Sequence, residues 1–322
     1  MKAIQILGDV SSPEITINRS IKKPTPKNSE LLIKVHAAGI TGDEILWPEP
    51  YATATRIPGH DISGIISSTG PDYEGPFKIG QEVYCFLGAD RGQGQADYVL
   101  CLPTEVALKP TFLSHAEAAA LPIPLLTAWE ALLDHGALLN GMRILVTGAS
   151  GAVGVFAVQL AARVFGAHVI ALASSRNHGM LKRLGACDVL DYGAVDWDKE
   201  IDGVDLVFDT VGGDILTKTW KCVKEDGVIV TVGDPAPAWA FGQGHASESV
   251  DHPKVRYLHF IVSPHADRLG EAARMIDAGS LKFLAVKTFP FKEAKQAWDY
   301  AQQRNRGHKV VIDFIEESPI IS

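Results

Sequence analysis

The stretch Val146–Gly154, VTGASGAVG, sets Gly148, Gly151 and Gly154 at every third position, directly behind the aliphatic run RILV. The run reads as a buried strand, and a helix is expected to begin near Val153. The loop then lies where helix N-terminal amides converge and a pyrophosphate can be bound. Without Cβ atoms the backbone can turn tightly and approach a ligand closely. The spacing is G-x-x-G-x-x-G rather than G-x-G-x-x-G, and a glycine pattern alone is weak evidence, since a plain structural turn has the same composition. Context adds to it: the strand before, the helix after, and a next strand ending at Ala173, about where a ribose-reading residue belongs. The expected contacts are Gly148, Ser150, Gly151, Ala152, Val153 and Gly154.

At the ribose position the usual Asp or Glu is missing. Ser174, Ser175, Arg176 and Asn177 stand there instead, offering hydroxyls and a guanidinium suited to a 2′-phosphate. The expected cofactor is therefore NADP(H). The same SSRN segment would also serve as a helix N-cap. Tyr192, in DVLDYG at the end of the next expected strand, could donate to the same phosphate.

Outward from the loop, the apolar runs RILVTG, HVIALAS, VDLVFDTVG and GVIVTVG alternate with helical segments such as VFAVQLAARVFG and HGMLKRLG. Nearly all-apolar strands of this kind belong to a parallel sheet covered on both faces. Before about Ala116 the texture differs, with short β-rich runs (LLIKVHAAGI, ISGIISS, EVYCFL, ADYVLCLP) between Gly, Pro and Asp punctuation. A chain of 322 residues, 46% hydrophobic, has the length of two domains. The formal net charge of −8, with no basic stripe, argues against a nucleic-acid partner. The start, MKAIQILGDVSSPE, lacks the apolar core of a signal peptide, and no run approaches the ~20 apolar residues of a membrane span. The expectation is a cytoplasmic protein without a membrane partner. The widely spaced Cys85, Cys101, Cys187 and Cys222 form no C-x-x-C pair and read as reduced, mainly structural thiols. Asp234–Pro253 is the one long loop-like stretch.

Together with the glycine loop and the SSRN turn, the phrases AAGI, PGHDISGII, IGQEVYCF, GQADYV, AAALPIPLLTAWEAL, LGACDVLDYG, VFDTVGG and RGHKVVIDF give a chain that resembles the medium-chain dehydrogenase/reductase superfamily. The resemblance is to its zinc-independent, quinone oxidoreductase-like and enoyl reductase-like branch. It implies an α/β fold: a GroES-like β domain from residues 1–117 and 284–322, and a Rossmann doubly wound parallel-sheet domain from 118–283. It also implies an active site in the cleft between them and a homodimer. Zinc-dependent members carry a Cys after the AAGI phrase, a His in the GH phrase and a Cys or Asp before the TA phrase; here those places hold Thr41, His60 and approximately Ile123. A catalytic Zn²⁺ needs about three protein donors, and the four-cysteine loop of a structural zinc is also missing, so no metal is expected.

Without a Lewis acid, hydride delivery to an already electrophilic enone or quinone is the expected chemistry, with the developing enolate stabilised by protein donors. Motif position suggests Thr41, Asp43, His60 and Thr127 at the nicotinamide end, with the backbone of Val232 and Gly233. Asp43 and His60 could form an acid–base pair, although His60 could equally be held by backbone in a buried turn. Tyr51 is a further candidate proton donor, and Trp47, Trp239 and Phe241 are candidate pocket walls. Lys254–Pro264 reads as a strand from which Phe260 and Val262 could reach substrate. Arg306 and Lys309 stand either near the cofactor or on a solvated face. Two other functions stay open: zinc-independent carbonyl reduction or alcohol oxidation, and an NADPH-binding sensor or structural protein with little turnover.

Overall fold

The computed structural model describes residues 1–193, 196–303 and 307–315, which form two compact units, one of residues 1–126 with the described residues from 263 to 315 and one of the described residues from 127 to 262. In the second unit six parallel strands lie in the order Asp188–Leu190, His168–Leu172, Arg143–Val146, Val204–Asp209, Val223–Thr231, Arg256–His259. Counted along the chain this is the order 3-2-1-4-5-6 of a doubly wound dinucleotide-binding sheet. Ile144, Leu145 and Val146 are wholly buried, as are Val207 and Ile229 on neighbouring strands. Helices on the two faces account for the unbroken apolar runs. Trp197 and Trp220 complete this core, each burial contributing on the order of 2–3 kcal/mol.

The helix Ala152–Gln159 starts one residue before the expected Val153 and continues through a π turn, Leu160–Val164. The helix His178–Leu184 ends on Gly185 at φ +120°, whose amide reaches the carbonyls of Leu181 and Lys182. Glycine closes the helix there because its left-handed geometry lets the amide turn back onto those carbonyls. The expected strand Lys254–Pro264 is shorter, Arg256–His259, and lies at the edge of the sheet beside Val223–Thr231.

The first unit is built on a seven-stranded sheet whose centre is the ten-residue strand Leu31–Ile40. It pairs antiparallel with Asp61–Thr69, Tyr98–Cys101 and Lys309–Asp313. The C-terminal strand thus lies inside the N-terminal sheet, as the resemblance implied. The unit boundaries fall at 126/127 and 262/263, where the sequence suggested 117/118 and 283/284. The helix Ala266–Asp277 belongs with the β unit: the Tyr84 hydroxyl donates to the Leu269 carbonyl, and Asp277 accepts from the amide and hydroxyl of Thr111. The helical stretch His115–His135 is long and apolar enough to cross a bilayer by composition, contrary to the sequence reading, but 72% of its apolar window is buried within the protein.

Candidate functional site

In a doubly wound sheet the carboxyl ends of strands 1 and 4 diverge, leaving a crevice at the switch point. Here those ends are Val146 and Asp209, and the glycine loop follows the first of them. Gly148 adopts φ +58°, and a Cβ on it would collide with the Thr210 hydroxyl. A Cβ on Gly154 would run into the Gly148 carbonyl, so this glycine lets the helix seat against its own loop. The Gly151 amide donates to the Gly148 carbonyl at 2.8 Å, and Gly151 caps the helix Ala152–Gln159 with no side chain across the helix end. The first-turn amides of a helix have no partner within it. Gly151, Ala152 and Val153, exposed or half-buried around that end, fit the pyrophosphate of a dinucleotide. Ser150 is half-buried beside them, and Thr127 is buried in the helix Pro122–Glu130.

The next strand ends in a tight turn. The Asn177 amide donates to the Ser174 carbonyl at 2.9 Å and its side chain to Ser174 Oγ at 3.1 Å. Ser175 and Arg176 are exposed, and among the described residues Arg176 has no hydrogen-bond or ion-pair partner. One neighbour was not foreseen. Asp191, at the end of the adjacent strand, accepts the Ser175 amide at 2.9 Å and the Gly193 amide at 2.8 Å. Those bonds hold its carboxyl below the usual range, the Gly193 amide foremost. An acid therefore does stand beside this turn, with one main-chain amide on each oxygen. Tyr192, 49% exposed, follows it immediately.

At the other side of the switch point, the Val232 amide donates to the Asp209 carbonyl at 2.9 Å and the Gly233 amide to Thr231 Oγ1 at 3.0 Å. Gly233 packs so closely on Gly212 that a Cβ would strike its backbone. Of the proposed aromatic walls, Trp239 packs edge-on against Tyr257 at 5.0 Å within the sheet's core cluster, and Phe241 lies 62% exposed against His259. Phe260 packs at a tilt against His135, with ring centroids 4.5 Å apart, and Val262 is half-buried beyond the strand's end.

The catalytic candidates all lie in the β unit, and their partners differ from those expected. Asp43 and His60 do not pair: Asp43 Oδ2 accepts the Trp47 indole N–H at 3.0 Å. The acid facing His60 is the adjacent Glu44, 1% exposed, with Oε1 at 3.5 Å from Nε2 while it also accepts the Gly59 amide. The other ring nitrogen lies 2.9 Å from the Leu87 carbonyl, so His60 is held by backbone and one buried acid. Burial pushes the Glu44 carboxyl up, and His60 works against that shift. The Tyr51 hydroxyl donates to the Ile45 carbonyl at 2.6 Å, so its proton is engaged locally.

Thr41 is different. Half-buried just past the strand Leu31–Ile40, its hydroxyl oxygen lies 3.4 Å from Lys309 Nζ, which is itself 3.4 Å from Asp61 Oδ2. Lys309 is only 6% exposed, which replaces the solvated face with a buried ammonium. The Asp61 carboxyl is pushed up by burial and drawn back by Lys309, and its Oδ1 accepts the Ile123 amide at 2.7 Å. Arg306 lies outside the described residues.

These contacts also test the zinc positions. The Ile123 side chain offers no donor atom, the Thr41 hydroxyl faces an ammonium, and both His60 nitrogens are engaged. No cluster of three His, Cys, Asp or Glu suited to a metal occurs among the described residues. The donor set does not fit catalytic zinc.

Comparison with known proteins agrees with this architecture. Residues 27–120 match the family described as the alcohol dehydrogenase GroES-like domain, and residues 184–312 the one described as zinc-binding dehydrogenase. The chain is 33% identical, over 94% of each protein, to a protein of the fungus Arthroderma benhamiae named "Probable zinc-binding oxidoreductase, mitochondrial". It is 31% identical to the 2-methylene-furan-3-one reductase of Solanum lycopersicum, over 97% of this chain and 79% of that one. The solved quinone oxidoreductase of Coxiella burnetii superposes with a TM-score of 0.83 at 27% identity, covering 98% of this chain and all of the other. With its strand order, its glycine loop at the switch point and a donor set lacking zinc ligands, the chain belongs to the medium-chain dehydrogenase/reductase superfamily, in its quinone oxidoreductase-like branch.

Proposed function

We propose that the protein is an NADPH-dependent reductase of electron-poor acceptors, conjugated enones or quinones, working without a metal. The observation that carries this reading is the glycine loop at the switch point, with Arg176, which has no partner among the described residues, one strand away. A helix N-terminus suits the pyrophosphate, and a guanidinium with Ser174 and Ser175 suits a 2′-phosphate. Asp191 accepts one main-chain amide on each oxygen and keeps acceptor capacity for a ribose hydroxyl, so the preference for NADPH over NADH rests on Arg176. The tomato and Coxiella relatives are named for a methylene-furanone and a quinone, both electrophilic acceptors.

NADPH, when bound, supplies the hydride. The β unit must then supply a donor for the oxygen on which negative charge develops, and Thr41 is the side chain that suits it. Its oxygen accepts from the buried Lys309 ammonium, which leaves the hydroxyl proton free to donate and polarises it. Asp43, Tyr51 and His60 serve to hold the 41–60 segment in shape. The edge strand Arg256–His259 has one side unpaired among the described residues and is the natural seam of a homodimer. The enzymatic reading is tested by following NADPH oxidation with a simple enone, a quinone and an unactivated ketone. Turnover of the first two and not the third is expected. Turnover of the ketone alone would replace this reading with carbonyl reduction, and cofactor binding without turnover of any of them would favour a sensor.

A further inference from the structure

The VFDTVGG segment contributes a residue that neither the glycine loop nor the ribose turn accounts for. Asp209 ends the strand Val204–Asp209 wholly buried, without a basic partner among the described residues, and accepts four hydrogen bonds. Oδ1 takes the Thr147 hydroxyl at 2.5 Å and the Val211 amide at 3.2 Å. Oδ2 takes the Thr231 hydroxyl at 2.6 Å and the Gly212 amide at 3.0 Å. Each threonine passes the connection on. Thr147 Oγ1 accepts the Thr210 amide at 3.1 Å, and Thr231 Oγ1 accepts the Gly233 amide at 3.0 Å. The Thr210 hydroxyl returns to the Thr147 carbonyl at 3.0 Å, immediately before Gly148. One carboxylate thus ties together the carboxyl ends of three adjacent parallel strands, those leading into the glycine loop, the 210–213 loop and the 232–233 loop.

A buried charge is costly unless hydrogen bonds surround it, and Asn, with one acceptor oxygen, could not receive all four donors. We propose that Asp209 is a positioning residue that couples the pyrophosphate half of the dinucleotide site to the nicotinamide half. This inference rests on the dinucleotide reading of the glycine loop. Ordering the Gly148 loop around a phosphate draws on Thr147, and ordering the loop at Gly233 draws on Thr231. The two hydroxyls meet on different oxygens of one rigid group, so each half is preformed when the other is. The cofactor is thereby bound as a unit rather than as two independent ends.

The test is a double-mutant cycle on binding, read by titration with NADPH and with 2′-phospho-ADP-ribose, which lacks the nicotinamide end. Thr147→Val and Thr231→Val should each weaken NADPH by about 5-fold, and the double variant by much less than the product of the two, because the threonines interact through Asp209. Thr147→Val and Thr231→Val should both weaken 2′-phospho-ADP-ribose by more than about 2-fold, the second because the coupling carries its loss to the Gly148 loop; an affinity that Thr231→Val leaves unchanged would overturn the coupling. Asp209→Asn should weaken NADPH by at least about 10-fold; where it fails to fold, the threonine cycle carries the test. Additive or absent effects of the threonine changes would overturn the coupling while leaving the cofactor reading intact. An unaltered protein that binds neither ligand would overturn both.

Discussion

The two candidate regions of this molecule are made of different material. At the switch point of the parallel sheet the ligand-facing groups are main chain: the exposed end of the Ala152–Gln159 helix, glycines without Cβ atoms and a loop held by Asp209 from behind. In the β unit the candidates are side chains, and nearly all of them are already committed: Asp43 to Trp47, Tyr51 to the Ile45 carbonyl, His60 to Leu87 and Glu44. A site made of backbone is ready for a ligand by virtue of its fold. A site made of side chains is ready only where a group keeps a donor to spare, and among the four candidates that is Thr41. The contrast can be broken by substitutions that act on one region and spare the other.

The largest effect is expected where the β unit buries charge. Lys309→Met strands Asp61 in the interior and should cost about 3–5 kcal/mol of stability by denaturant unfolding, because a lone buried charge costs far more than a missing pair. Pairing it with Asp61→Asn should recover most of that loss. NADPH affinity should hold in whichever variants stay folded, and a matching loss of affinity would erase the distinction between the regions. Next comes Thr41→Val, expected to lower kcat by about 100-fold, as loss of one donor to a developing oxyanion does. Asp43→Asn and Tyr51→Phe should stay within a few-fold of the unaltered protein; the reverse ranking would move catalysis from Thr41 to Asp43 or Tyr51.

In the dinucleotide unit, Arg176→Ala should weaken NADPH by about 10-fold or more and leave NADH nearly unchanged, because only NADPH loses a charge-assisted bond. Equal effects on both would remove the 2′-phosphate from this turn.

A further effect concerns acid. His115 is held to about 4 by burial, and then by His36, against the opposing pull of Glu82. Its ring lies 4.4 Å from that of His36, with Nδ1 on Ser63 Oγ and Nε2 facing Glu82, which also pairs with Lys109. Unfolding releases the imidazole to its ordinary value of about 6.5, so between these values the unfolded chain binds more protons. Stability should be fully present above pH 6.5 and fall as pH drops towards 4. Thermal unfolding of His115→Gln over the same range should show a shallower slope, and an unchanged slope would assign the acid sensitivity to other groups.

The sequence was legible where backbone geometry decides. The strand, loop and helix around Gly148 and the SSRN turn lie where spacing put them, because tight turns and helix starts are written in local residue types. It was not legible where partner choice decides. Glu44 rather than Asp43 faces His60, and nothing in a run of two acids says which of them a 3₁₀ turn will aim inward. Lys309 follows Arg, Asn, Gly and His and looks like part of a wet surface. It is buried because its strand lies between Val286–Pro290 and Leu31–Ile40, the second of these far away in sequence. Asp191 escaped notice because it reaches the Ser175 turn from the neighbouring strand.

The most direct test of the central claim is to supply NADPH carrying deuterium at both hydrogens of nicotinamide C4, together with a cyclic enone, and to locate the label in the product by NMR. Deuterium on the β carbon of a saturated ketone is the predicted result, since hydride then enters the conjugated C=C bond. Deuterium on the carbinol carbon of an allylic alcohol would contradict it and show that the protein reduces carbonyl groups.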